Sequence, residues 1–146
     1  MRSMNVHDMA LLTYARNAAE NAYCPYSNFP VGAVVETESG PFRGCNIENA
    51  SYSLGLCAER VAIHSAVAAG ARKLSRLAVS CRLAKDTDPS AARMPCGACR
   101  QVIAEFMASG SEVIIDGVGV WRVDELIPEA FRLPGAGRET PASSGS

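Results

Sequence analysis

The stretch at residues 94–102, MPCGACRQV, constrains this chain more than any other part of its sequence. Pro95 stands just before an apolar pattern with helical spacing, where proline favours the start of a helix, and the pattern predicts a helix at residues 96–107. Cys96 and Cys99 therefore fall at the beginning of that helix. Cysteines at this spacing occur in structural zinc sites, in redox dithiols and in catalytic metal sites that keep one position for water. The stretch alone is compatible with all three.

A chain of 146 residues has the size of one ordinary domain and can bury a core of its own. Its six cysteines could form three disulfides in a secreted protein, but the first residues lack the apolar segment of a signal peptide. No apolar run approaches the length of a membrane span. We therefore expect a cytoplasmic protein with no membrane partner, in which Cys24, Cys45 and Cys81 are reduced and mostly buried.

The charge of the chain argues against a nucleic-acid partner. The formal net charge is -1, and lysines and arginines are scattered along the sequence. A nucleic-acid-binding protein usually presents a basic patch or stripe. The densest basic cluster, Arg72, Lys73 and Arg76, follows a predicted helix, where cations interact favourably with the last carbonyl groups.

The alternation of helical and strand patterns predicts the fold class. Helices are predicted at residues 6–23, 56–70, 96–107 and 123–131, the last of them short and interrupted at Pro128. Strands are predicted at residues 29–37, 41–47, 76–81, 111–116 and 118–123. Two short connections join pairs of strands as hairpins, and the polar segment 82–94 is predicted to be a loop. We expect an α/β three-layer sandwich, with a mixed sheet of about five strands covered by helices. Residues 1–133 would form a single domain, followed by a disordered tail at 134–146.

A catalytic zinc ion takes three protein ligands and a water, so a third ligand must come from elsewhere in the chain. Cys57 is the strongest candidate because it begins the second predicted helix and is followed by Glu59 and Arg60. At a helix start, free backbone N–H groups and the positive end of the dipole favour thiolate over thiol. His64 has no spacing signature, and we expect it to be a packed or surface residue.

The residues after Cys57 suit a hydrolytic zinc site. An attacking water must lose a proton and a leaving amine must gain one, so a carboxylate is needed that lies near the metal without binding it. Glu59 is our candidate for that carboxylate. Three thiolates on Zn²⁺ leave an excess negative charge, and we expect Arg60 to relieve it by donating hydrogen bonds to a ligand sulfur.

These motifs together resemble the zinc-dependent nucleoside and base deaminases. Cys57-Ala58-Glu59 and the segment PCGAC at 95–99 match the Cys-x-Glu and Pro-Cys-x-x-Cys motifs of that family. Three longer segments, CPYSNFPVGA, GCNIENASYSLGLCAER and DELIPEAF, are similar to the small three-cysteine cytidine deaminases of the homotetrameric type. The resemblance runs from about residue 6 to residue 133, with several independent motifs in the right order.

The resemblance implies a function and a set of site residues. It implies one Zn²⁺ per chain and the hydrolytic deamination of cytidine and 2'-deoxycytidine to uridine and 2'-deoxyuridine, with release of ammonia, in pyrimidine salvage. It implies that Glu59 passes protons from the water to the pyrimidine N3 and to the departing ammonia. The implied binding residues are the zinc ligands Cys57, Cys96 and Cys99, the ribose-binding Asn46 and Glu48, the stacking Phe29, the base-edge backbone at Ala58, and Tyr52 and Phe131, which reach into a neighbouring subunit of a homotetramer.

Other functions stay open at this point. A structural zinc module would take Cys45 or Cys81 as a fourth ligand, and it would leave Glu59 without a purpose. A thioredoxin-like redox protein would cycle Cys96 and Cys99, but the expected βαβ start before that motif is missing. A deaminase of another cytosine nucleoside, such as blasticidin S, would keep the chemistry and change the substrate. The balanced charge disfavours an RNA or DNA editor, and the Asn46 and Glu48 pair favours a free nucleoside.

The chain departs from the family pattern in three places. The segment 82–94 is longer than usual, Met94 stands where the family often has serine, and the sequence after Phe131 does not match the usual ending. These differences concern the approach to the site and the contacts between subunits. They bear on substrate range and assembly more than on the type of reaction.

Overall fold

A five-stranded mixed sheet forms the centre of the computed structural model, which describes residues 1–135. The strands are β1 (Val31–Thr37), β2 (Gly40–Cys45), β3 (Leu74–Cys81), β4 (Met107–Ile115) and β5 (Gly119–Arg122). Their order is β2-β1-β3-β4-β5; β3 and β4 are parallel, and the other neighbours are antiparallel. The predicted mixed sheet of about five strands is confirmed.

Helices cover both faces of this sheet. They are α1 (Val6–Ala18), α2 (Ala58–Ala68), α3 (Gly97–Phe106) and the short α4 (Val123–Leu126). Successive residues of a strand point to opposite faces. On one face α1 packs over Val34, Ala78, Ile114 and Val120. On the other face α2, α3 and α4 pack over Ala33, Val35, Leu77, Val79, Val113 and Ile115. The two sets of strand residues alternate, so the predicted three-layer sandwich is confirmed.

All four helices are shorter than the predicted ranges, and the first and the last differ most, by five residues each. The pattern predicts a first helix that reaches residue 23, but α1 ends at Ala18 and Ala19–Asn21 continue as one 3-10 turn. The final helix covers Val123–Leu126 of the predicted 123–131 and ends just before the interruption that the sequence predicts at Pro128. Pro128 lacks the N–H group that would continue the helical hydrogen bonds.

The strands begin at positions that differ from the prediction, by two residues or more for β1, β3 and β4. β1 starts at Val31, two residues late, because Asn28 has a positive φ of 53° and Pro30 precedes the ladder. β4 starts at Met107, directly after α3 and four residues before the predicted start, because Met107 pairs with Leu74 of β3. The segment predicted as a loop, 82–94, contains a 3-10 helix at Ser90–Arg93.

The close contact between α2 and β2 positions the start of α2. A Cβ atom at Gly44 would overlap backbone atoms of Ala58 and Ala62, so only glycine lets the helix lie this close to the strand. The first turn of α2 and the preceding Cys57 are thereby fixed relative to the sheet.

The ends of the chain bear on two predictions. The predicted tail, 134–146, lies outside the described residues apart from Pro134 and Gly135, so its disorder stays a prediction. The assignment of residues 1–133 to one domain stays a prediction as well. In residues 1–135, no helix combines the length and the hydropathy that crossing a bilayer requires.

Candidate metal centre

Three cysteine thiols meet where α2 and α3 begin. Cys57 is the N-cap of α2, Cys96 is the N-cap of α3, and Cys99 lies in the first turn of α3. Their Sγ atoms all lie within 4.8 Å of one another, with Cys57 to Cys96 at 3.9 Å and Cys96 to Cys99 at 3.4 Å. Zn–S bonds of about 2.3 Å in a tetrahedron place neighbouring sulfurs about 3.8 Å apart. The three thiols therefore fit a zinc ion.

No other side chain in residues 1–135 completes this group as a fourth ligand. The three cysteines form the only cluster of three or more histidine, cysteine or acidic groups in that range with the spacing to hold a metal. Cys45 and Cys81 do not belong to it, which removes the fourth ligand that a structural zinc module needs. His64 is exposed on α2, where its ring lies edge-on to Phe106 with centroids 6.4 Å apart, and it does not belong to the thiol cluster.

Glu59 lies beside the thiols without belonging to the metal group. Its side chain is almost completely buried, and the thiol of Cys99 donates a hydrogen bond to Oε2 at 3.0 Å. Burial is the main cause that raises the pKa of Glu59 above its usual value, and the nearby Cys57 adds to the effect. The geometry places a buried carboxyl group next to a metal-binding cluster.

The thiols differ in acidity and in access. The pKa of Cys57 is lowered to about 5, chiefly because Cys99 hydrogen-bonds to it, with a further contribution from Arg60. The pKa of Cys99 is raised by that same hydrogen bond and by burial. Cys99 is buried, Cys57 is half-buried and Cys96 is exposed, so the group is open on the Cys96 side.

Arg60 lies beside the thiol group, in the first turn of α2. Its Nη2 atom donates a hydrogen bond to the Sγ of Cys57 at 3.7 Å. Its Nε atom is buried and has no hydrogen-bond partner among the described residues. Its predicted role in offsetting negative charge on the ligand sulfurs stays a prediction.

The residues predicted to bind the nucleoside gather on a second group of loops, around residues 26–31 and 46–55. Asn46 is held at both ends of its amide: Oδ1 accepts from the N–H of Val31 at 2.8 Å, and Nδ2 donates to the carbonyl of Phe29 at 2.8 Å. Glu48 Oε1 accepts from the backbone N–H groups of Tyr26 and Ser27, both at 3.1 Å. A hydrogen bond from Ser27 is the main cause that lowers the pKa of Glu48.

A cavity of about 370 Å³ opens between these loops. Its lining residues are Tyr26, Ser27, Glu48, Asn49, Tyr52 and Gly55. Gly55 lies two residues before Cys57 in the sequence, but the three cysteines, Glu59, Phe29 and Asn46 do not line this cavity. A volume of this size suits a small ligand such as a nucleoside.

The remaining predicted residues differ in their surroundings. Ala58 is buried at the start of α2, and Phe29 is half-buried. Tyr52 is 80% exposed and meets the ring of Tyr26 edge-on. The side chain of Phe131 is 69% exposed, and its carbonyl accepts a hydrogen bond from Gln101. Within one chain Phe131 has no place in the cavity, and its role across a subunit boundary stays a prediction.

The sequence analysis missed Arg100, which fixes the start of α3. Its Nε atom donates to the carbonyl of Pro95 at 2.8 Å, and its Nη1 atom donates to the carbonyl of Leu126 at 2.8 Å. The two bonds join the segment before Cys96 to the last helix. No spacing rule connects residues 95, 100 and 126, so the sequence alone offered no signal for this role.

The sequence model of one protein family, described as the cytidine and deoxycytidylate deaminase zinc-binding region, matches residues 5–115. The chain belongs to this deaminase family. The match includes all three clustered cysteines, and the family is one of zinc-dependent hydrolases, so the predicted zinc cofactor is confirmed. Membership of a deaminase family leaves no support for the redox and structural-zinc alternatives.

Individual relatives in the deaminase family are similar over most of their length. The cytidine deaminase of Sporosarcina psychrophila is 44% identical over 126 residues, which cover 83% of this chain and 88% of that protein. The cytidine deaminase of Mycobacterium tuberculosis H37Rv is 42% identical over 127 residues, which cover 86% of this chain and 90% of that protein. The family resemblance stated from the motifs is thus confirmed.

Solved structures of cytidine deaminases share the fold. The crystal structure from Burkholderia pseudomallei has a TM-score of 0.76 at 44% identity and covers 88% of this chain and 100% of that one. The crystal structure from Mycobacterium tuberculosis has a TM-score of 0.74 at 36% identity, with 88% and 100% covered. These values confirm the predicted cytidine deaminase-like sandwich.

Proposed function

We propose that this protein catalyses the hydrolytic deamination of cytidine and 2'-deoxycytidine to uridine and 2'-deoxyuridine, with release of ammonia. The observation that carries the proposal is the buried carboxyl group of Glu59, 3.0 Å from Cys99 Sγ at the edge of the three-thiol cluster. The relatives that are named cytidine deaminases support the choice of substrate. The proposal places the protein in pyrimidine salvage in the cytoplasm.

Cys57, Cys96 and Cys99 would hold the zinc ion, one per chain. A set of three protein ligands is typical of a catalytic rather than a structural zinc site. Zinc, when bound, supplies a Lewis acid that makes water a strong nucleophile near neutral pH. Arg60 offsets part of the negative charge of the thiolates through its hydrogen bond to Cys57.

Glu59 carries the protons of the reaction. It accepts one proton from the water that attacks C4 of the cytosine ring and delivers it to N3, and it then moves the proton of the new C4 hydroxyl to the amino group, which leaves as ammonia. Burial raises its pKa, so the carboxyl group can hold a proton between these two transfers. The overall balance is one nucleoside and one water giving the deaminated nucleoside and ammonia.

The loops at 26–31 and 46–55 bind the nucleoside. Asn46 and Glu48 bind the ribose hydroxyls, Phe29 stacks on the pyrimidine and the backbone at Ala58 meets the base edge. The two backbone N–H groups that donate to Glu48 fix the direction of its carboxylate before the sugar arrives. A free base would leave these polar groups without partners, so we expect cytosine to be rejected by as much as about 10⁴-fold.

The active assembly is a homotetramer in which Tyr52 and Phe131 reach into the site of a neighbouring subunit. Support comes from their high exposure within one chain. Other large apolar side chains in residues 23–26 and 47–56 are exposed as well: Tyr23, Tyr26, Ile47, Leu54 and Leu56. An apolar surface of this kind usually marks a protein interface.

The proposal is tested by counting zinc in the purified protein and following the loss of ultraviolet absorbance with four substrates. These are cytidine, 2'-deoxycytidine, cytosine and blasticidin S. We expect one zinc per chain and turnover of the first two only. Zinc without turnover of any of them would reject the proposed activity, and turnover of blasticidin S alone would replace the proposed substrate.

Replacing Glu59 with glutamine tests the role of the carboxyl group. Glutamine keeps the shape but carries no transferable proton, so kcat should fall by about 10² to 10⁴ while the zinc content stays at one per chain. Glu105→Gln, an exposed change on α3, is the matched control. A Glu59→Gln enzyme with a kcat within tenfold of wild type would show that another group carries the protons.

A further inference from the structure

The segment between β3 and α3, residues 82–94, contains one largely buried cation. Arg93 ends the 3-10 helix Ser90–Arg93, three residues before Cys96. Its side chain is only 11% exposed, although Ala91 and Ala92 beside it are exposed. Burying an arginine is costly unless it is held by specific contacts.

Arg93 joins its own segment to the turn between β4 and β5. Its Nη2 atom donates to the carbonyl of Lys85 at 2.5 Å, which closes the segment on itself. Its Nη1 atom fills the space that a Cβ of Gly117 would occupy. The ion pair with Asp86 is long, at 3.9 Å, and Asp86 is fully exposed, so this pair contributes little.

The β4–β5 turn that Arg93 contacts is itself held by several hydrogen bonds. Gly117 adopts a positive φ of 76° and follows Asp116. Asp116 accepts two hydrogen bonds from Arg16 of α1, at 2.7 and 2.8 Å, and one from Ser80 of β3 at 2.7 Å. The turn is thereby tied to the opposite face of the sheet.

Two arginines, Arg93 and Arg100, hold the backbone that leads to Cys96. Arg93 holds the chain before it, and Arg100 holds the carbonyl of Pro95, the residue directly before Cys96. Cys96 is the exposed member of the three thiols, so the packing of its own side chain contributes least to its position. The placement of its Sγ depends on the backbone that leads to it.

We propose that Arg93 is a positioning residue for the zinc site, which acts by seating the segment 82–94 on the Gly117 turn and so fixing Cys96. The inference rests on the proposed function, because it takes Cys96 as a zinc ligand. Groups that orient a metal ligand typically change metal affinity 10- to 100-fold. Arg93 acts through the backbone, so we expect the low end of that range, about tenfold.

The test measures the zinc Kd by competition with a chromophoric chelator, together with the visible d–d bands of the Co²⁺-loaded protein, which report ligand geometry. The variants are Arg93→Ala, Gly117→Ala and the double variant. Arg82→Ala in the same segment is the control, because Arg82 is half-exposed and its ion pair in residues 1–135 is with Glu20 on the surface, at 3.4 Å. Arg93→Gln replaces Arg93→Ala if the alanine variant does not fold.

We expect Arg93→Ala to weaken zinc binding about tenfold and to change the Co²⁺ bands, while Arg82→Ala matches wild type. Gly117→Ala should also weaken binding, because its Cβ displaces the guanidinium, and the double variant should bind no more weakly than the weaker single variant. The inference is overturned by a Kd of Arg93→Ala within twofold of wild type, by an equal effect of Arg82→Ala, or by full additivity. Absence of zinc binding in the wild type would instead reject the proposed function.

Discussion

Replacing Asp8 with asparagine should destabilise the protein and leave its zinc site unchanged. The side chain of Asp8 has no exposed surface. Its carboxylate accepts hydrogen bonds from Arg2 at 2.7 and 3.1 Å, from Arg76 at 3.0 Å and from the backbone N–H of Asn5 at 2.9 Å. Asparagine can keep the bond at the N-cap but loses the charge that pairs with two arginines.

The magnitude follows from the exposure of those arginines. Removing one partner of a buried ion pair costs about 3–5 kcal/mol, because the remaining charge stays buried without compensation. Arg2 is 38% exposed and Arg76 is 23% exposed, and each keeps a second carboxylate, Glu112 or Glu36. We therefore expect a smaller loss of about 2–3 kcal/mol. For a domain of this size that corresponds to a fall in Tm of roughly 6–12 °C.

The stability difference between wild type and Asp8→Asn should become smaller in acid. The hydrogen bonds from Arg2 are the main cause that lowers the pKa of Asp8 in the folded protein. A carboxylate with a depressed pKa adds stability that is fully present above its unfolded pKa of about 3.9 and is lost as the pH falls through the folded pKa. The difference between wild type and Asp8→Asn should thus be constant from about pH 7 to pH 5 and should shrink below about pH 4.

The assay is urea unfolding at pH 7 and in acid, with zinc at equal excess in every sample. Asp124→Asn is the control, because Asp124 is 41% exposed and pairs with Arg122 on the surface, so its loss should leave the unfolding midpoint unchanged. Loss of zinc in acid affects all the proteins alike and cancels in the difference. A difference below about 0.5 kcal/mol at pH 7, or one that persists undiminished in acid, would refute the reasoning.

Two further changes test the positions that build the site. Gly44→Ala should lower the unfolding free energy by about 3 kcal/mol or more, because its Cβ would overlap the backbone of α2. Gly110→Ala is the control, because a Cβ there meets open space and should be tolerated. Equal Tm values for the two variants would contradict this reasoning. Arg60→Ala should lower zinc affinity about 10- to 100-fold, because the hydrogen bond to Cys57 is lost. Chelator competition measures the affinity, and Arg43→Ala, at an exposed arginine, is the control. Unchanged zinc retention and turnover would count against this role of Arg60.

The sequence predicts those parts of the fold that depend on local pattern. All five strands and all four helices appear where periodicity and turn residues indicate them. The errors occur where pairing with a distant segment decides the outcome. Residues 107–110, Met-Ala-Ser-Gly, show no strand alternation, yet they extend β4 because Met107 pairs with Leu74. The bridge between Arg2 and Val120 at the sheet edge has no local signal either.

The candidate site shows the same division. The sequence alone predicts the three cysteines and Glu59, because each motif lies at the start of one helix. Cys57 and Glu59 lie at the start of α2, and Cys96 and Cys99 lie at the start of α3. The residues that hold these side chains in place could not be predicted from local spacing. Arg93 and Arg100 act through carbonyl groups and through the space above a glycine, and such contacts exist only once the chain has folded.

The alternation of side chains along the strands explains why stability and chemistry can be changed separately. In β3, Arg76 points to the face of α1 and binds Asp8, whereas Leu77 points to the face of α2 and belongs to the core beneath the metal cluster. A change at Asp8 therefore alters a charge network that the sheet separates from the zinc site. A change at Arg60 alters the zinc site and leaves that charge network intact. Residues that are far apart and share no partner have additive effects, within about 0.3–0.5 kcal/mol. The double variant of Asp8 and Arg60 should consequently combine the stability of one single variant with the zinc affinity of the other.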